Sequence, residues 1–222
     1  MTANRQTRWL LASVMLAAPM LSGCQAVWVV LEKMFPKEKV SAKFRLPANK
    51  TVLVFPDDLE NPVSYPQVKH VLARRLSAIL AEKKLAGETV PYERLLELQA
   101  AEPDFNLMSI PKIGRRLGAD LVVYVNIEQF ALKDNPVDTL WRGRFAGRVK
   151  VVDVLKGRIW PDESAGCRVK VNAPIADSTS EAFGGEVARV LAESLAVEVA
   201  WLFHDHYVER NRPKDTGSIF DE

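Results

Sequence analysis

Few side chains in this sequence have the type and spacing that chemistry needs. His204-Asp205-His206 sets two imidazoles beside a carboxylate, the donor set of a metal site. On a helix, however, positions i and i+2 point to different sides, so the pair does not share one ion. The third histidine, His70, is far away in the chain. Asp57 and Asp58 follow an apolar run, and ligand sites of α/β folds lie beyond strand ends. With Glu128 they form the set a hydrolytic cleft would gather; the other reading is two solvated acids in a loop. There is no GxSxG, Walker A run, GxGxxG or HExxH. Arg142, Arg144, Arg148 and Lys150 recur at period 2, as do Arg168 and Lys170. If those two segments pair as strands, six cations line one sheet face. That face is either a docking surface for an acidic partner or anionic headgroups, or a solvated face balanced by nearby acids.

Of the two thiols, Cys24 has the more telling surroundings. A basic start with Arg5 and Arg8 leads into twelve apolar residues, Trp9 to Met20, and then Leu21-Ser22-Gly23-Cys24. Basic start, short apolar core and small residues before a cut describe a secretory signal peptide. The alternative is an uncleaved anchor, since Trp9 to Leu31 is 23 residues without a charge. Pro19 and Gly23 interrupt that helix where cleavage needs an extended chain. Cys167 reads as a half-buried strand residue or, being unpaired in an exported chain, as a reactive thiol.

The segment resembles a bacterial lipoprotein signal, with Leu-Ser-Gly-Cys as the lipobox. The resemblance implies that the Cys24 thiol takes a diacylglyceryl group as a thioether. Ser22 and Gly23 let a peptidase reach the bond, and the freed amine is then often acylated, commonly with palmitate. It also implies an exported protein facing the periplasm. Gln25 and Ala26 follow the cysteine with no Asp, the pattern of sorting to the outer membrane in proteobacterial relatives. Two or three acyl chains anchor permanently, at about 0.8 kcal/mol per buried methylene.

The composition narrows the rest. The 222 residues make one substantial domain, and 48 % hydrophobic with 26 % charged residues is globular. Lys and Arg number 30 against 28 Asp and Glu, too balanced for a nucleic-acid binder. Two cysteines exclude a disulfide scaffold and a multi-thiolate zinc site.

The expected organisation is a signal peptide over 1–23, a lipid-anchored tether over 24–49, a domain over 50–207 and a flexible tail over 208–222. Thr51–Phe55 reads as a buried strand stopped by Pro56. Val68, Val71, Leu72, Leu76, Ile79 and Leu80 form one helix face, with Gly87 as its C-terminal glycine. Thr89–Val90 is a short strand, Tyr92–Ala101 a helix, and Ser109 opens a third helix closed by Gly118. Leu121–Ile127 is a central strand and Trp141–Leu155 a long alternating one. Lys156-Gly157-Arg158 turns it back through Ile159 and Trp160. Cys167–Val171 is another strand, and Ser178-x-x-Glu181 is a capping box opening a long helix through Phe203. This order predicts an α/β fold: one mixed sheet with helices packed on its faces.

The order, on a lipobox, resembles a group of bacterial envelope proteins that includes the TolB amino-terminal domain, the penicillin-binding-protein activator LpoB and the curli-secretion lipoprotein CsgG. Four stretches carry it: TVLVFPDD, HVLARRLSAILAEKK, IGRRLGADLVVYVNIEQF and VKVVDVLKGRIW. The chain departs from CsgG in lacking paired amphipathic segments for a barrel, and from LpoB in lacking a long disordered tether. The resemblance implies no catalytic residue and no cofactor beyond the covalent lipid on Cys24. The expectation is a non-enzymatic lipoprotein that presents its domain to an envelope protein or assembly. A subunit of a self-assembling secretion complex and a periplasmic hydrolase are the alternatives. Cys24→Ser is expected to abolish incorporation of a labelled fatty acid; persistent labelling would overturn the anchor.

Overall fold

A computed structural model describes residues 37–135, 137–173, 176–178 and 180–209. Cys24, the expected signal segment, the first half of the expected tether and the tail beyond 209 lie outside the described residues. These fall into two compact units, 37–39 with 207–209, and 40–206. In the first, β1 (Lys37–Val40) pairs with β10 (His206–Glu209) as a two-stranded ribbon.

The second unit is built on apolar runs that are buried on both faces. Strand β2 (Thr51–Asp57) is the first, and its parallel neighbour β4 (Leu121–Ala131) the second. Val52 to Phe55 and Leu121 to Val123 are all buried, so helices must cover both sides. From β2 the chain passes through α1 (Gln67–Glu82) to the parallel edge strand β3 (Glu88–Val90). It then returns through α2 (Tyr92–Ala101), a 3-10 turn and α3 (Ile110–Arg116) to β4 on the other side of β2. The mixed half follows. Strand β6 (Arg144–Asp153) lies antiparallel to β4. On the outer edge of β6, β8 (Cys167–Asn172) pairs with its first half and β7 (Gly157–Trp160) with its second.

Pairing assigns the faces. Val52, Val54, Val123, Val125, Phe145, Val149, Val169 and Val171 share one side. That side is closed by α1 and by α4 (Glu181–Trp201), which also pack on each other. Leu53, Phe55 and Val122 point the other way, toward α2 and α3. Gly114 of α3 comes so close that a Cβ would lie 2.8 Å from Val122 and Val154.

The fold is the mixed α/β sheet expected, with local corrections; β2 runs through Pro56 to Asp57 and α4 ends at Trp201, before Phe203. The domain begins before Lys50: the Phe44 N–H donates to the Leu202 carbonyl at 2.9 Å, and Phe44 and Leu46 pack against the core. Alternation of apolar with charged residues at 43–46 marked that segment. The first helix ends at Glu82, and Lys84, not Gly87, takes the left-handed conformation, φ 54°. Gly87 is instead a close-approach glycine, since a Cβ there would meet the Asn49 backbone at 2.9 Å. The capping box does not form; Ser180 precedes α4, and Ser178 accepts the Trp141 indole N–H on its carbonyl at 2.8 Å. The long strand is interrupted at Arg142-Gly143. There the chain is pressed on α4, and β5 (Leu140–Trp141) leaves to pair with β9 (Ala176–Asp177).

The two adjacent glycines of α4 are not equivalent. A Cβ at Gly184 would meet the buried Trp141 ring at 2.6 Å, and that ring is held by its indole hydrogen bond. A Cβ at Gly185 would meet nothing within 4 Å. Gly185→Ala is expected to stabilise by up to about 1 kcal/mol through helix propensity. Gly184→Ala is expected to destabilise by about 1–3 kcal/mol through overpacking. Urea unfolding of the two variants checks the opposite signs.

Candidate functional site

The helices leave half of one sheet face open. Beyond Val122 the buried-on-both-sides pattern of β4 ends, and Tyr124 and Asn126 are only half-buried. Across the sheet, Asp57, Asn126, Arg148 and Arg168 stand in one row, on strands β2, β4, β6 and β8. Lys150 stands opposite Tyr124, and Lys170 opposite Ala146. The strands that carry the period-2 cations do pair, and Arg144, Arg148, Lys150, Arg168 and Lys170 share a face. Arg142 falls in the break before β6 instead. It still joins Arg144 at one carboxylate: Asp134 lies 3.4 Å from the first and 2.7 Å from the second.

Direct opposition of Arg148 and Arg168 is unfavourable without an anion between them. Glu128 supplies it. The register of β4 against β6 shifts between Ile127 and Gln129, a bulge with Glu128 as the extra residue. Bulges re-aim side chains, and here the Glu128 carboxylate accepts the Arg148 guanidinium and lies 3.4 Å from that of Arg168. Gly147 makes the bulge possible, because a Cβ there would sit 2.8 Å from the Asn126 carbonyl. Glu128, which a hydrolytic cleft would gather with Asp57 and Asp58, is engaged by Arg148 and Arg168 instead. The only sequence signal for the bulge was the loss of alternation at Glu128-Gln129.

Asp57 and Asp58 have other partners. Asp57 accepts the Tyr124 phenol at 2.6 Å and the Leu59 N–H at 3.1 Å. Asp58 accepts the Lys69 ammonium at 2.6 Å and the Val63 N–H at 3.1 Å. Burial works against the Asp58 charge, but those hydrogen bonds and the Lys69 charge outweigh it and hold the carboxyl below its usual range. Burial, together with the bond to Asp57, pushes the Tyr124 phenol up. Each of the three carboxylates is thus engaged by its own hydrogen-bond donors rather than by another of the three.

The remaining candidates are structural in their contacts. His206 lies flat on Trp201, rings 4.5 Å apart and 4° from parallel, and burial pushes its pKa down. Its Nδ1 faces the His204 carbonyl at 3.2 Å. His70 meets Glu93 at 3.0 Å. Among the described residues no three His, Cys, Asp or Glu side chains are grouped to hold a metal ion. Cys167 is half-buried opposite Val149, and burial pushes its thiol up. Among the described residues no helix is long and apolar enough to cross a membrane.

Glu128→Gln leaves Arg148 and Arg168 facing each other. The variant is expected to lose about 1 kcal/mol in urea unfolding at low salt. The deficit is expected to shrink at high salt, where the repulsion is screened.

No family model matches the chain, and no curated protein matches it. Among solved structures it is similar to the PelC dodecamer from Paraburkholderia phytofirmans, at 15 % identity over 76 % of this chain and 97 % of that one, TM-score 0.40. It is similar to lipoprotein GNA1162 from Neisseria meningitidis, at 15 % identity over 68 % and 99 %, TM-score 0.41. A minor lipoprotein from Acinetobacter baumannii shares 9 % identity over 69 % and 90 %, TM-score 0.36. Likenesses this distant transfer no activity, and the site is read from its own residues.

Proposed function

We propose that this chain is a non-enzymatic bacterial envelope lipoprotein, tethered through acyl chains on Cys24, that docks an acidic surface of another envelope protein on its open sheet face. The observation that carries the docking surface is the β6–β8 pairing. It holds Arg148, Arg168, Lys150 and Lys170 on one rigid face. Sheet strands fix charges more firmly than loops do, and a fixed array of cations is what electrostatic complementarity requires. Glu128 and Asp134 pair with Arg148, Arg168 and Arg144 of the array. The anchor is supported by Leu21-Ser22-Gly23-Cys24 after the basic, apolar leader. The absence of an enzymatic role is supported by carboxylates engaged with Tyr124, Lys69 and Arg148 rather than with one another.

The test is cross-linking in intact cells of the full chain and of its Arg168→Glu/Lys170→Glu variant, followed by mass spectrometry of the bands. A discrete heteromeric band that weakens about tenfold in the variant, with acyl labelling unchanged, is the expected result. A band unaffected by charge reversal removes the sheet face from the reading. A ladder at multiples of the chain's own mass replaces it with self-assembly.

A further inference from the structure

His206 is a buried imidazole that the docking reading leaves unused. It is 6 % exposed. Its Nδ1 lies 3.2 Å from the His204 carbonyl, which can only accept, so Nδ1 carries the proton of the neutral ring. Nε2 is then a bare lone pair, buried without a partner among the described residues. The ring lies flat on Trp201, 4.5 Å away and 4° from parallel. A second proton can go only to Nε2, where it would set a donor and a full charge against no acceptor. Burial and the charge of His204 disfavour that imidazolium, while the His204 carbonyl and the Asp205 charge favour it. Burial is the largest of these influences, and the His206 pKa is pushed down.

The turn that carries this ring also holds the incoming chain. The Ala42 N–H donates to the Asp205 carboxylate at 3.1 Å, and Arg45 pairs with the same oxygen at 2.9 Å. The Phe44 N–H donates to the Leu202 carbonyl at 2.9 Å. The Phe44 ring stacks on Trp160, which meets Phe203 edge to face at 6.1 Å. Asp205 thus clamps the incoming segment from between two histidines that order the turn, since His204 Nδ1 faces the Asp205 carbonyl at 2.8 Å. Of the other ionisable groups here, Lys43 and Arg45 stand on the docked segment. Glu198, one turn back on α4, is 5 % exposed, and it and Lys43 are each engaged.

We propose that His206 is an acid-sensitive latch: as a neutral ring it seats the 204–206 turn and holds residues 42–46 against the end of α4, and as an imidazolium it leaves its site and lets them go. The imidazole binds its proton more weakly when latched than when released. The latch is therefore fully set above the ordinary histidine pKa of about 6.5 and weakens as pH falls below it. At pH 5 a released histidine is about thirty parts imidazolium to one of imidazole, which bounds the weakening at about thirtyfold. Residues 42–46 lie between Cys24 and β2, so their release lengthens the chain in front of the domain. The latch stands on contacts inside the domain and does not depend on an acyl group at Cys24.

The test is hydrogen exchange of the full-length chain at about pH 7.5 and pH 5, read as protection factors so that the intrinsic pH dependence of exchange drops out. Protection of the Ala42 and Phe44 amides is expected to fall about tenfold or more at the lower pH. Val52 and Val123 are expected to stay better protected than either, because the opening is local. An NMR titration of the His206 ring is expected to give a midpoint below about 6.5 and to track the loss. His206→Phe keeps a flat ring on Trp201 without a titrating nitrogen, and its Ala42 and Phe44 protection is expected to be level between the two pH values. His204→Gln is expected to keep the fall; with the ring titration it decides the case if His206→Phe does not fold. The proposal fails if protection at Ala42 and Phe44 is level in the parent, or falls equally in His206→Phe. It also fails if His204→Gln abolishes the fall, if those amides open only together with Val52 and Val123, or if the His206 ring titrates at or above about 6.5.

Discussion

Burial of both faces of β2 and β4 is the constraint from which the rest of the domain follows. Val52 to Val54 and Leu121 to Val123 are almost wholly removed from water, and each such side chain contributes about 1.5–3 kcal/mol. A strand buried on both sides needs a layer on each. The two crossovers provide them, α1 on one face on the way to β3, α2 and α3 on the other on the way back. The C-terminal helix α4 completes the first layer over β6 and β8, with Leu191, Leu195 and Val199 buried beneath it.

The open half of the other face is the counterpart of that arrangement. Helices α2 and α3 reach as far as Leu53, Phe55 and Val122. Past them the sheet surface is solvated, and the residues change character in step: Tyr124, Asn126, Arg148, Lys150, Arg168. Solvent there accepts charge, yet the rigid strands hold like charges in opposition. The bulge at Glu128 relieves this by placing one carboxylate between two guanidinium groups. Local geometry and surface electrostatics are therefore one feature, and Gly147 is the residue that permits it.

The sheet face is broad, half-exposed and partly self-neutralised, suited to steering and orienting a partner. It stands on a frame of buried strands. Beside it, Asp58 holds the loop after β2: its bond to Lys69 ties the loop to the first turn of α1, and its bond to the Val63 N–H closes the loop on itself.

Much of this was legible from residue order alone. Continuous apolar runs marked β2 and β4, because a strand covered on both faces cannot alternate. Period-3.6 spacing marked α1 and α4, and Tyr92–Ala101 was read as a helix with the bounds it has. Gly118 and Gly157 marked turns, and both take positive φ, 73° and 86°. The period-2 cations line one face only if their strands pair; β6 and β8 do pair, and five of the six stand on one side of the sheet. What the sequence did not show depends on contacts between distant segments. Gly184 looks like a weak point of a helix until Trp141 occupies the space of its Cβ. Gly87 looks like a helix cap until Asn49 lies against it. The Glu128 bulge and the break at Gly143 exist only once strands and helices far apart in the chain are packed together. Local patterns report how a segment meets water or core; they do not report which neighbour it meets, and the sites of this protein are made of neighbours.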